Sequence, residues 1–166
     1  MVERRSLRIV AVVLVLLVLL SGGAAAVPVG TELVVEDADT GQVYYSIPVE
    51  NGTAFSIEYT HSVEKTRVLD AYVVDGDRIV MTHMEFESYG WGLPARADVR
   101  QENGVFVFEP EWADDELYVK AGRIAGHRLN VNSHTYDLVA PSDASSVKIT
   151  VEKRSALAVA VDSLKL

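Results

Sequence analysis

The feature that most constrains this chain is a two-residue alternation beginning at Phe55. Phe55, Ile57, Tyr59 and His61 alternate with Ser56, Glu58, Thr60 and Ser62. That period sends the first set to one face of a strand and the second to the other. Strand propensity resumes from Val68 to Val74, Asp75-Gly76 supplies a tight hairpin turn, and Arg78 to Ser88 returns as the next strand. Ser88-Tyr89-Gly90-Trp91-Gly92-Leu93-Pro94 closes the stretch, because two glycines and a proline do not continue a ladder.

Short strands separated by turn residues also fill the flanking sequence. Leu33 to Glu36 precedes Asp39-Thr40-Gly41, and Val43 to Val49 precedes Asn51-Gly52. Ala95 to Glu102 is polar and reads as a loop, and Val105 to Phe108 opens a second series. Glu109 to Glu116 reads as an acidic, solvated linker whose spacing does not match a calcium loop. Leu117 to Lys120, Ile124, Arg128 to Val131, Thr135 to Val139 and Val147 to Glu152 follow, with Ala156 to Val161 as a last candidate. With no convincing long amphipathic helix, the expectation is an all-β chain. It would be an antiparallel sandwich or barrel of about eight to eleven short strands.

An N-terminal hydrophobic helix is expected before this module. Glu3 to Arg8 is basic, Ile9 to Leu20 is an unbroken apolar run, and Ser21 to Ala26 is small. This is the layout of a secretory signal, with cleavage after Ala26 freeing the domain. No charge appears from Ile9 to Val29, however, and that length is enough to cross a bilayer as a retained anchor. Either reading keeps the arginines inside and divides the chain into a leader, 1–27, and one extracytoplasmic β-domain, 28–166.

Composition narrows the chemistry. The chain of 166 residues contains no cysteine, so disulfides and thiolate chemistry are excluded, and zinc would need histidine and carboxylate ligands. The net charge is −9; the leader takes three arginines and one glutamate, leaving 12 basic against 23 acidic residues beyond Ala26, a net of −11. Such a field repels phosphate backbones and argues against nucleic-acid binding. Few lysines beside many Asp, Glu, Val and Ala resemble the balance of proteins from salt-loving organisms. In molar salt a Debye length of about 3 Å screens much of the self-repulsion.

Five sets of residues are weighed for function. His61, Glu64 and Asp70 lie on paired strands or the turn between them, where they would bind a divalent cation or form a buried hydrogen-bond network that pins the hairpin. His83 is expected on one face with Ile79, Met81, Glu85 and Glu87. His127 and His134 default to the surface. Tyr89, Gly90, Trp91, Gly92, Leu93 and Pro94 form a loop suited to recognition or to plugging the end of the sandwich. Asn51-Gly52-Thr53 is both a hairpin tip and an N-glycosylation sequon. Serine hydrolysis ranks last, since His61 and Ser62 are strand neighbours on opposite faces and no Gly-x-Ser-x-Gly elbow occurs.

HSVEKTRV with Asp70 and Tyr72, followed by FESYGWGLP, resembles the domain of unknown function 1850 family. The likeness extends more weakly from the strand near Leu33 to His127-Arg128-Leu129 and the strand near Val147. Asp70 stands where the family pattern has a glutamate, and Trp91 where it has a small residue. The resemblance implies a small extracytoplasmic β-domain encoded beside TRAP transporters of the TAXI class. The expected function is therefore a non-catalytic accessory domain at the cell membrane, without a cofactor. Its partner would be the TRAP transporter membrane subunit or the solute-binding protein. A small-ligand or divalent-cation binder is the alternative.

Overall fold

The computed structural model describes residues 28–88 and 99–155. The leader, the Tyr89 to Pro94 loop and the candidate strand from Ala156 to Val161 lie outside the described residues. The chain divides into two compact units, one of residues 31–152 and one of residues 1–30 with 153–166. The account below concerns the first.

The described residues form twelve strands, more than the eight to eleven expected, and no helix. They are β1 (Pro28–Asp37), β2 (Val43–Val49), β3 (Ala54–Thr60), β4 (Arg67–Asp75), β5 (Arg78–Phe86), β6 (Arg100–Glu102), β7 (Val105–Phe108), β8 (Trp112–Asp114), β9 (Glu116–Lys120), β10 (Arg128–Val131), β11 (His134–Asp137) and β12 (Ser146–Ser155). One sheet has the order β2-β1-β12-β9. The other has the order β11-β10-β3-β4-β5-β7-β6, with β8 also pairing β5. Neighbours such as β1–β2, β3–β4, β4–β5 and β9–β12 pair antiparallel, and neither sheet closes into a barrel.

One apolar layer joins the two sheets. Leu33, Val35, Val147 and Ile149 from the smaller sheet share a buried cluster with Phe55, Ile57, Val74 and Leu129 from the larger. These positions alternate along their strands, so each sheet turns one apolar face inward. Val68 and Phe86 form a satellite cluster, where Phe86 stacks on Phe106 at 5.4 Å. Polar ties also cross between the sheets: the Tyr45 hydroxyl donates to the Asp137 carbonyl at 2.9 Å, and the Asn132 side-chain amide donates to the Pro48 carbonyl at 2.8 Å.

Turn chemistry accounts for several connections. Gly76, at φ 66°, supplies the left-handed residue of the β4–β5 hairpin. Its N–H donates to the Asn51 side-chain carbonyl at 2.6 Å, so the candidate sequon ties two adjacent turns together. Asn132 and Ser133, at φ 50° and 63°, make the two-residue tip between β10 and β11.

Three expectations are corrected. Arg100–Glu102 is a strand, paired with β7, where a loop was expected. Trp112–Asp114, inside the expected acidic linker, pairs with β5, and Trp112 packs edge-on against Tyr72 with centroids 6.1 Å apart. Ile124 falls in a turn, not a strand. In the first two cases β7 or β5 supplies the backbone partner that the local sequence does not advertise.

Candidate functional site

The HSVEKT segment is a tight turn between β3 and β4. His61 is 8% exposed, its N–H donates to the Thr66 carbonyl at 2.8 Å, and its carbonyl accepts from the Lys65 N–H at 2.9 Å. Lys65 takes a left-handed φ of 58°. The His61 ring completes the turn, with Nδ1 accepting the Glu64 backbone N–H at 3.2 Å. The ring thereby pins the turn of the β3–β4 hairpin through a backbone N–H. Glu64 itself is exposed.

Asp70 is elsewhere. Its strand partner is Ile57, four residues before His61, which places it about 13 Å back along the sheet at ~3.3 Å per residue. Among the described residues no three His, Asp or Glu side chains gather as a metal group, so the proposed trio is not assembled. Arg67 instead supplies counter-charge on the outer face, at 3.1 Å from Glu58 and 3.4 Å from Glu85.

His83 is also turned away from His61. The β4–β5 register shifts between Ala71 and Tyr72, pairing Ala71 with His83 but Tyr72 with Met81, so Thr82 is the extra residue of a bulge. The bulge lets Ile79 and Met81, then Met84 and Phe86, all serve the interior. His83 and Glu85 are left on the outer face, 3.4 Å apart. This corrects the expected grouping of His83 with Ile79 and Met81. Together with Arg67, Ser56, Asn130 and His134 they border a broad open groove of about 860 Å³.

The interior face of β3 and β4 holds the more distinctive site. Asp70 lies in phase with Val68, Tyr72 and Val74, which puts a carboxylate in an apolar row. Burial pushes its pKa from the ordinary 3.8 to about 6, against an opposing hydrogen bond from Tyr59. Among the described residues its buried Oδ1 has no hydrogen-bond partner. Asp70 lines a cleft of about 230 Å³ between the β3–β4 face and β9, together with Tyr59, Tyr72 and His127. Burial, then the Asp70 charge, pushes both tyrosine hydroxyls well above their ordinary range.

His127 arrives from the loop joining β9 to β10. That loop closes on itself through the Gly126 N–H and the Gly122 carbonyl at 2.8 Å, and the Ala125 carbonyl accepts the Thr60 N–H at 2.8 Å. The His127 ring stacks on Tyr59 with centroids 4.7 Å apart, and its Nδ1 accepts the Gly122 N–H at 3.1 Å. Burial lowers its pKa below 6.5, so the ring is neutral at neutral pH. It is half-buried, not the surface residue expected. His134 is exposed at its hairpin tip, with Nδ1 2.8 Å from the Asn132 carbonyl.

The fold and this cleft define an antiparallel two-sheet β-module with a desolvated carboxylate and aromatic walls between its layers. The chain belongs to the family described as domain of unknown function DUF1850, whose model matches residues 55–138, half of the chain. The matched span takes in Tyr59, His61, Asp70, Tyr72 and His127. No curated protein and no solved structure matches this chain.

Proposed function

We propose that this chain is a non-catalytic accessory module, held outside the cytoplasm by its N-terminal apolar segment, that serves a solute transporter of the TRAP type and TAXI class. The observation supporting the non-catalytic part is the state of two histidines. At His61 and His127 Nδ1 accepts a backbone N–H, at 3.2 Å and 3.1 Å. A neutral imidazole that accepts at Nδ1 carries its proton on Nε2, so neither nitrogen offers a free lone pair to a substrate proton. Both rings hold backbone in place.

The transporter assignment rests on the resemblance of the HSVEKTRV and FESYGWGLP segments, and the Tyr89 to Pro94 loop is the proposed contact with the membrane subunit or the solute-binding protein. A second reading, small-ligand binding, is favoured by the Asp70 cleft. The test is recovery of tagged full-length protein from its own membranes, followed by identification of what accompanies it. Transporter subunits are the expected result; a chain that comes down alone contradicts the assignment.

A further inference from the structure

We propose that the cleft between β9 and the β3–β4 face is a binding site for a small primary ammonium ion, held by the Asp70 carboxylate and the phenolic oxygens of Tyr59 and Tyr72, with the His127 ring beside them. The inference deepens the small-ligand reading above by naming the ligand's chemistry.

The charge argument comes first. Asp70 is a carboxylate on an interior face, and the Tyr59 hydroxyl is a neutral donor that leaves its charge uncompensated. The groups facing the cavity from the elements around it are Tyr59, Tyr72, Tyr118, Lys120 and His127. The three tyrosines are uncharged at neutral pH, and burial keeps His127 neutral. Lys120 is exposed at the rim. A buried carboxylate without a cation favours any small cation that enters beside it.

Shape and hydrogen bonding then select among cations. A volume of about 230 Å³ is below the range of about 300 to 1,000 Å³ typical of drug-sized ligands, so the occupant has few non-hydrogen atoms. An ammonium group has three N–H donors, which match the carboxylate and the phenolic oxygens of Tyr59 and Tyr72. A quaternary ammonium has none. Ile57, Leu117 and Val119 suit a short alkyl chain. Tyr118 contributes no polar group, because its hydroxyl donates to Glu116 at 2.8 Å. Calcium or magnesium fits poorly, since either takes about six or more oxygen ligands and the cleft offers one carboxylate.

The test is calorimetric titration of the full-length protein with n-butylammonium chloride, at constant ionic strength, with n-butanol and calcium chloride as parallel arms. Saturable binding is expected at pH 8. It should weaken about tenfold at pH 5, where roughly one Asp70 in ten is ionised. Butanol should not bind, Asp70→Asn should abolish binding, and Lys120→Met should tighten it by removing a like charge at the rim. The proposal is overturned by absent binding, by equal affinity at the two pH values, by binding that survives in Asp70→Asn, or by calcium displacing the amine. The pH comparison uses unmodified protein, so it decides the matter even if Asp70→Asn does not fold. Failure here leaves co-purification with a transporter untouched, and failure of co-purification leaves this titration untouched.

Discussion

Replacing Asp70 with asparagine should change stability in opposite directions at two pH values. Folded Asp70 keeps its proton to about pH 6, whereas the unfolded chain releases it near 3.8. Stability from this group is therefore complete below 3.8 and is lost as pH rises through 6. At about 1.4 kcal/mol per pH unit, the ionised carboxylate costs the fold about 3 kcal/mol at pH 8. At pH 4 the same relation leaves about 0.5 kcal/mol. The asparagine amide has two N–H donors where the carboxyl group had at most one, and leaving one of them unsatisfied costs about 1 to 2 kcal/mol at either pH. Asp70→Asn should then stabilise by about 1 to 2 kcal/mol at pH 8 and destabilise by about 1 kcal/mol at pH 4. The difference between the two, about 2.5 kcal/mol, is the sharper quantity, because the amide penalty cancels from it. Urea denaturation of both proteins at pH 4 and pH 8, in the same salt, measures it. A difference under about 0.5 kcal/mol would refute the reasoning, since it would mean that Asp70 titrates like a solvated aspartate.

Other perturbations probe the surrounding structure. His61→Ala removes the acceptor for the Glu64 N–H and should cost about 1 to 2 kcal/mol by denaturant titration; an unchanged midpoint counts against the capping role. Phe86→Ala opens a cavity beneath Phe106 and should cost about 3 to 5 kcal/mol, and a loss under 1 kcal/mol would place Phe86 outside the core. Asn51→Ala breaks the tie to the Gly76 N–H at an exposed turn, for about 1 kcal/mol or less in the same assay. His127 acts with the opposite sign to Asp70: its folded pKa lies below 6.5, so the stability it contributes is present above 6.5 and is lost as pH falls. His127→Phe keeps a ring against Tyr59 and should remove a loss of stability on going from pH 7 to 5, leaving the gain from Asp70 unopposed in that window, whereas an unaltered slope would contradict a buried neutral ring.

Much of the architecture is legible in the residues themselves. Val43–Val49, Val105–Phe108 and Arg128–Val131 have the bounds expected of them, because apolar and branched residues stop abruptly at turn formers. Arg100–Glu102 and Trp112–Asp114 are not legible. Arg100–Glu102 has no apolar side chain and Trp112–Asp114 has one large one, too little for a periodic pattern, and each is paired with a neighbouring strand's backbone. The bulge at Thr82 is also hidden, as no glycine marks it, and it reverses the face assigned to His83. At the site, Asp70 stands out in sequence through its phase with Val68, Tyr72 and Val74. Its neighbours do not: His127 reaches it through the β9–β10 loop, a tertiary closure that strand periodicity does not encode.

The central claim is that Asp70 is a desolvated carboxyl held in a cleft built for a ligand. Its most direct test is a carbon-13 NMR titration of the Asp70 side-chain carboxyl in the full-length protein without added amine. The account predicts a midpoint near pH 6. A midpoint near 3.8 would mean that water already solvates the group, and would contradict it.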